Sequence, residues 1–223
     1  MEPGTLTYAV GDIHGRADLL DALLERIAAH AAGRDRRLVF LGDYIDRGPD
    51  SAAVLRTVSR LAWAEPERVT CLMGNHERML LDALVRDGAA GHWLINGGEA
   101  TLAAFGARDA AGLPRDTLDW IEALPTLHGD AARWYVHAGF RPGVAPPDSE
   151  PHDRLWIREP FLDGDHDFGR HVVHGHTPRQ DGRPEVRRFR TNLDTGAVYG
   201  GPLTAGVFSD ARGPALDFLQ VRG

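Results

Sequence analysis

Lysine is absent: all 25 basic residues of the 223-residue chain are arginines. Its absence excludes Schiff-base chemistry, a P-loop lysine and a kinase-type nucleotide lysine. Any grip on phosphate must therefore come from arginine, metal or backbone amides. Cysteine is nearly absent too. The single Cys71 can form no intramolecular disulfide, excludes zinc sites built from paired cysteines, and fits a reducing compartment. Nor does it head a cysteine-phosphatase loop, because Glu77 stands where the arginine is needed and Arg78 comes one residue late. No apolar run approaches the roughly 18 residues of a membrane span, and Met1–Thr7 has no basic region followed by an apolar core. The expectation is a cytoplasmic protein with no membrane partner. Excess positive charge is also missing. A formal net charge of −7 argues against a nucleic-acid partner.

What is present is an ordinary globular composition, 43% hydrophobic and 26% charged, which predicts a single domain over residues 1–223. One pattern occurs three times in the first third. A strand-like run (Leu6 to Val10, Leu38 to Leu41, Val69 to Met73) ends in a polar turn, GDIHG from Gly11, GDYIDRG from Gly42 or GNHE from Gly74, and a helix-like stretch follows. Asp12 and Asp43 lie 31 residues apart, and Asp43 and Asn75 lie 32 apart, the length of a βα unit plus the next strand. Turns at the carboxyl ends of parallel strands open on one sheet edge, so the three should converge. Residues from about Arg78 to Pro125 read as helices broken at Gly97-Gly98 and near Gly112 to Pro114. Arg141 to Pro160 reads as a long functional loop. Strands are predicted again at Arg133–Val136, His171–Val173, Val186–Thr191, Leu203–Phe208 and Leu216–Val221.

The turns carry a ligand set. Asp12 and His14, two apart in extended chain, project to one side. Asp43 adds a carboxylate able to bridge two ions, and Asn75 adds a neutral oxygen. His137 and His176 end later strand-like runs. These oxygen and nitrogen donors, without sulfur, suit manganese, iron or zinc. Two such ions would clamp a phosphoryl group and acidify a water between them. Arg47 offers a planar fork to phosphate oxygens. His76, beside Asn75, can protonate the leaving oxygen, with Asp46 orienting it by hydrogen bonding.

GDIHG, GDYIDRG, GNHE, VHAG at Val136 and GHTP at Gly175 together resemble the phosphoprotein phosphatase family of calcineurin-like metallophosphoesterases, in its bacterial and phage branch. The resemblance runs from about Thr5 to Phe208. It implies an α/β fold, a β-sandwich of two mixed sheets flanked by helices and built from βαβ units, with a dinuclear centre of two divalent ions, manganese first and iron or zinc as alternatives. By position, Asp12, His14 and Asp43 hold the first ion, and Asp43, Asn75, His137 and His176 the second. Arg47 matches the family's phosphate-binding arginine, and His76 with Asp46 its general acid. RLWIRE resembles the stretch that supplies a second arginine, Arg158, with Arg154 the rival. NGG at Asn96 and DTGAVYGG at Asp194 also resemble the bacterial branch. Pro178 stands where many relatives carry another histidine, so the first ion has one protein ligand fewer and a nuclease is disfavoured. The activity implied is direct in-line hydrolysis of a phosphomonoester, by preference phosphoserine or phosphothreonine in a protein or peptide. Dinucleoside polyphosphate hydrolysis is the alternative. Related diadenosine tetraphosphatases resemble GNHD at the third turn, where this chain has Glu77. A non-catalytic phosphopeptide-binding module is the remaining alternative and should lack a ligand, an arginine or the acid.

Other residues read as structural. His174 falls outside the ligand set as a strand residue, and His30, His92, His128, His152, His166 and His171 have no ligand spacing. Cys71 reads as a buried strand residue, and Trp63, Trp93, Trp120 and Trp134 read as core. Trp156 reads as lining the mouth of the site. The basic stretch Arg179, Arg183, Arg187, Arg188 and Arg190 reads as a solvated hairpin face.

Overall fold

A computed structural model describes residues 5–223; the reading of Met1–Thr7 as leader-free lies mostly outside them. The predicted βα units are present as β1 (Leu6–Val10), α1 (Ala17–Ala31), β2 (Arg36–Phe40), α2 (Ser51–Ala64), β3 (Val69–Cys71) and α3 (Asn75–Val85). The helical middle continues as α4 (Ala89–Trp93), a π-helical turn Leu94–Gly98, α5 (Glu99–Phe105) and α6 (Arg115–Glu122). The rest contains β4 (Leu127–Gly129), β5 (Arg133–Val136), α7 (Pro151–Trp156), β6 (His171–His174), β7 (Glu185–Val186), β8 (Arg190–Asn192), β9 (Leu203–Phe208) and β10 (Asp217–Val221).

The strands form two mixed sheets, ordered β10-β9-β1-β2-β3 and β4-β5-β6-β8-β7. Each is built on a parallel triplet, β1–β2–β3 in one and β5–β6–β8 in the other. Strand alternation sorts the core into layers. Leu6, Tyr8 and Val10 of β1 join Leu19, Leu20, Leu23 and Ile27 of α1 on the helical side. Ala9 and Val39 face the other way, against Tyr135, Val173 and Leu193 of the second sheet. Phe140, Ile157 and Phe161, from the long loop and its flank, cover that sheet's outer face. The sheets therefore stack as a sandwich with helices outside, as the resemblance implies. Among the described residues no helix is long and apolar enough to cross a membrane.

Three expectations need correction. Val186–Thr191 is a hairpin, β7 and β8, rather than one strand, because the Asp165 carboxylate accepts the Arg188 and Phe189 amides (2.8 and 2.9 Å) and takes them out of the ladder. Trp63 is 68% exposed rather than core. It follows Val58 by five positions, roughly 140° around α2 from the stripe of Val54, Leu55 and Val58 that meets β3. Within the basic stretch, Arg190 is buried and paired with Glu185, which also binds Arg187, so this face is a local ion-pair network rather than wholly solvated. Cys71 is buried as expected, and burial pushes its thiol up to about 12, well away from reactivity.

Candidate active site

The carboxyl ends of both parallel triplets open on one edge. Asp12 and His14 follow β1, Asp43 to Arg47 follow β2, and Asn75 and His76 open α3 after β3. His137 follows β5, His176 follows β6 and Asp194 follows β8. The six predicted ligands converge, as do Asp46, Arg47 and His76. His14, Asp43 and His76 bring ligand atoms within 4.8 Å of one another, as do Asp12, Asp43 and His137, and Asp43 belongs to both groups. His137 Nε2 and His176 Nδ1 lie 2.8 and 2.9 Å from Asn75 Oδ1. Asp12 accepts the His176 amide at 3.1 Å. Asp12, His14, Asp43, Asp46, Asn75, His76, His137 and His176 are all buried, whereas Arg47 and Arg158 are exposed at the rim.

Backbone contacts lock the turns together. Ile13 and His14 donate their amides to Asp43 O. The buried Glu77 carboxylate accepts the amides of Asp43, Tyr44 and Gly74 at 2.8 to 2.9 Å, tying the second turn to the third. A Cβ on Gly74 would fall 2.2 Å from Asp43 Oδ1, and one on Gly175 2.1 Å from Asp12 Oδ1, so each carboxylate occupies the space a side chain would need. His14, Asp43, Asp46, Arg47 and His176 all adopt left-handed backbone, with φ between 47° and 73°. Each costs about 1–2 kcal/mol, and strain gathered at one place marks a functional site.

The donor set fits divalent cations. His137 Nδ1 sits 2.9 Å from Leu41 O, an acceptor only, so the ring proton is on Nδ1 and the Nε2 lone pair faces Asn75 Oδ1 and, at 3.5 Å, Asp43 Oδ1. Acceptors facing acceptors in a buried site call for a positive charge between them. Burial lowers the His137 pKa, so a proton does not readily supply that charge. Burial also brings His14 down to about 3 and, with His137, His176 to about 2. Burial, Asp194 and Asp43 raise Asp12, while burial above all raises Asp194 to about 7. Asp43 is held low, its desolvation outweighed by His137, His76 and His14.

His76 Nδ1 lies 2.7 Å from Asp46 Oδ2. Burial depresses this imidazole, but the carboxylates of Asp43 and Asp46 outweigh it and raise its pKa. Arg47 Nη1 reaches His14 Nε2 at 2.8 Å, and its guanidinium lies 5.7 Å from the Tyr199 ring. Arg154 is tied to Thr126 Oγ1 and to the Pro146 and Pro147 carbonyls, so it braces the long loop. Arg158 is exposed and close enough to add to the depression of His176. Trp156 is half-buried with its ring 6.3 Å from that of His176. His174 is buried beside Arg190 and Phe161.

Sequence reasoning missed Glu77 as a strut, Asp194 beside Asp12, and Trp93, whose indole N–H donates to Asp46. Asp194 carried a usable signal, its position just past a strand end like the six predicted ligands. Trp93 carried none, since a buried aromatic has the same local pattern.

The sequence matches the calcineurin-like phosphoesterase family over residues 6–201. Serine/threonine-protein phosphatase 1 of Salmonella typhimurium is 33% identical over 205 residues, covering 88% of this chain and 89% of that protein. A symmetrical bis(5'-nucleosyl)-tetraphosphatase of Dechloromonas aromatica is 40% identical over 137 residues, 61% of this chain, which spans only 44% of that protein. A protein serine/threonine phosphatase structure from Saccharomyces cerevisiae superimposes with a TM-score of 0.65 over 99% of this chain and 80% of that one, at 16% identity, a likeness of fold. The chain belongs to the calcineurin-like phosphoesterase family, hydrolases that work through a dinuclear divalent metal centre.

Proposed function

We propose that residues 1–223 act as one domain, a metal-dependent phosphomonoesterase that removes phosphate from phosphoserine and phosphothreonine in proteins. The observation that carries this reading is the His76–Asp46 pair, 2.7 Å apart, set against the buried Asp43–His14 cluster beneath two exposed arginines. Asp12, His14 and Asp43 would hold one ion, and Asp43, Asn75, His137 and His176 the other. When bound, the two ions, manganese by preference with iron or zinc suited to the same donors, supply Lewis acidity to the phosphoryl oxygens and to water.

The chain's own residues do the rest. Arg47 and Arg158 extend guanidinium forks to the non-bridging phosphate oxygens and balance the charge that grows on them in the transition state. His76 keeps its Nδ1 proton on Asp46 and delivers the Nε2 proton to the departing serine or threonine oxygen, so that an alcohol leaves. Asp46 holds the ring in place.

A protein substrate is supported by the 33% identity to a serine/threonine phosphatase along most of both chains, against 28% to an asymmetrical bis(5'-nucleosyl)-tetraphosphatase of Halalkalibacterium halodurans that spans both chains as fully. Glu77, bonded into the second turn, favours the same side. The 40% identity of the tetraphosphatase segment favours dinucleoside polyphosphate hydrolysis as the second reading. Side-by-side turnover of a phosphoserine peptide and diadenosine tetraphosphate by the manganese-loaded protein separates the two. The expected result is a higher kcat/KM on the peptide, and a higher value on the dinucleotide overturns it.

A further inference from the structure

The NGG segment and the helices around it have no part in the chemistry above, yet they close over the Asp46–Arg47 corner. Asp46 is fully buried, and its carboxylate accepts three side-chain donors: His76 Nδ1 at 2.7 Å, Trp93 Nε1 at 3.0 Å and Thr101 Oγ1 at 2.6 Å. The Asp46 amide donates to Thr101 Oγ1 at 2.9 Å and to Ser51 Oγ at 3.1 Å, and these two hydroxyls lie 3.0 Å apart. Thr101 thus grips the residue at both its amide and its carboxylate. Trp93 ends α4 and Thr101 lies in α5, and the π-helical turn between them is what brings both onto Asp46.

The two glycines of that turn have separate tasks. Gly97 accepts the Arg47 amide through its carbonyl at 3.1 Å, and its φ of 108° lets Arg47 pass where a Cβ would lie 2.7 Å from Arg47 Cγ. Gly98 lies against the Trp93 indole, where a Cβ would come within 2.5 Å of the ring. Asp46 and Arg47 both hold left-handed backbone, which neither favours unaided.

We infer that Trp93 and Thr101 are positioning residues for proton delivery: with Gly98 they fix the Asp46 carboxylate, and through it the His76 ring, at the angle that protonates the leaving group. The inference rests on the proposed role of His76 and adds residues outside every catalytic motif in the chain. A carboxylate with three fixed donors has little freedom to rotate, and losing one lets the ring it holds drift from the leaving oxygen.

Leaving-group dependence provides the test. A phosphoserine peptide departs as an alkoxide and needs the proton, whereas p-nitrophenyl phosphate departs as a stable phenolate and barely does. W93F and T101V are expected to lower kcat about tenfold or more on the peptide and far less on p-nitrophenyl phosphate, with KM and bound manganese unchanged. T101S, which keeps the hydroxyl, should behave as the parent chain, and G98A, which displaces the indole, should behave as W93F. Equal losses on both substrates in W93F and T101V, while H76N remains selective for the peptide, overturn this inference alone. Equal losses in H76N overturn the role of His76 and this inference with it. Circular dichroism and melting show whether each variant is folded, and T101V, the smaller change, decides the matter should W93F unfold.

Discussion

His76 reaches its partner across 30 residues of chain, and its replacement isolates what that ring does. His76→Asn is expected to lower kcat on a phosphoserine peptide by about a hundredfold or more, with KM and metal content nearly unchanged, because the loss falls in the transition state. A matching loss of bound manganese would make His76 a ligand instead. The two arginines of RLWIRE should separate just as cleanly. Arg158→Ala is expected to lower kcat/KM by about ten- to a hundredfold, the worth of a charge-assisted hydrogen bond, at unchanged melting temperature. Arg154→Ala should instead lower the melting temperature, since its guanidinium holds two loop carbonyls. At this scale the sequence was most legible where a proposed ligand sits in a short polar turn just past a strand, as Asp12, Asp43, Asn75, His137 and His176 do. It was silent about Trp93, whose work is a hydrogen bond to a residue 47 positions away, and it marked Glu77 only as the last letter of GNHE, not as the acceptor of amides 33 and 34 positions away.

The elements differ in how their apolar faces are spent. Helix α2 packs Val54, Leu55 and Val58 inward and carries Trp63 outward. Leu55→Ala is therefore expected to cost about 2–5 kcal/mol and Trp63→Ala no more than about 0.5 kcal/mol, both read from urea unfolding; the reverse order would show that the helix is rotated. The helical spacing made α1 and α2 legible, and strand-like runs ending in polar turns did the same for β1, β2 and β3. The β7–β8 hairpin was not, because what breaks it is a distant carboxylate, Asp165, and β4 was not, because three residues hold no period.

Across the whole molecule, buried neutral histidines couple folding to acid. Burial, reinforced by Arg133, lowers His171 from 6.5 to about 4. The unfolded chain gains a proton as pH falls below 6.5 while the folded ring stays neutral, so stability drops between pH 6.5 and about 4 and levels off below. His171→Gln loses the hydrogen bond to Thr191 but also this acid penalty. Its deficit against the parent chain should therefore be smaller at pH 5 than at pH 8, and an equal deficit at both pH values would contradict the assignment.

All of this depends on a buried cluster at the meeting edge of two sheets holding two divalent cations through one shared carboxylate. Manganese bound per chain, measured by metal analysis after equilibrium dialysis of the parent protein and of Asp43→Asn, tests that most directly. Two ions are expected in the parent and loss of both in the variant, because Asp43 belongs to both groups of side chains. A parent chain that binds none, or a variant that keeps both, would contradict it.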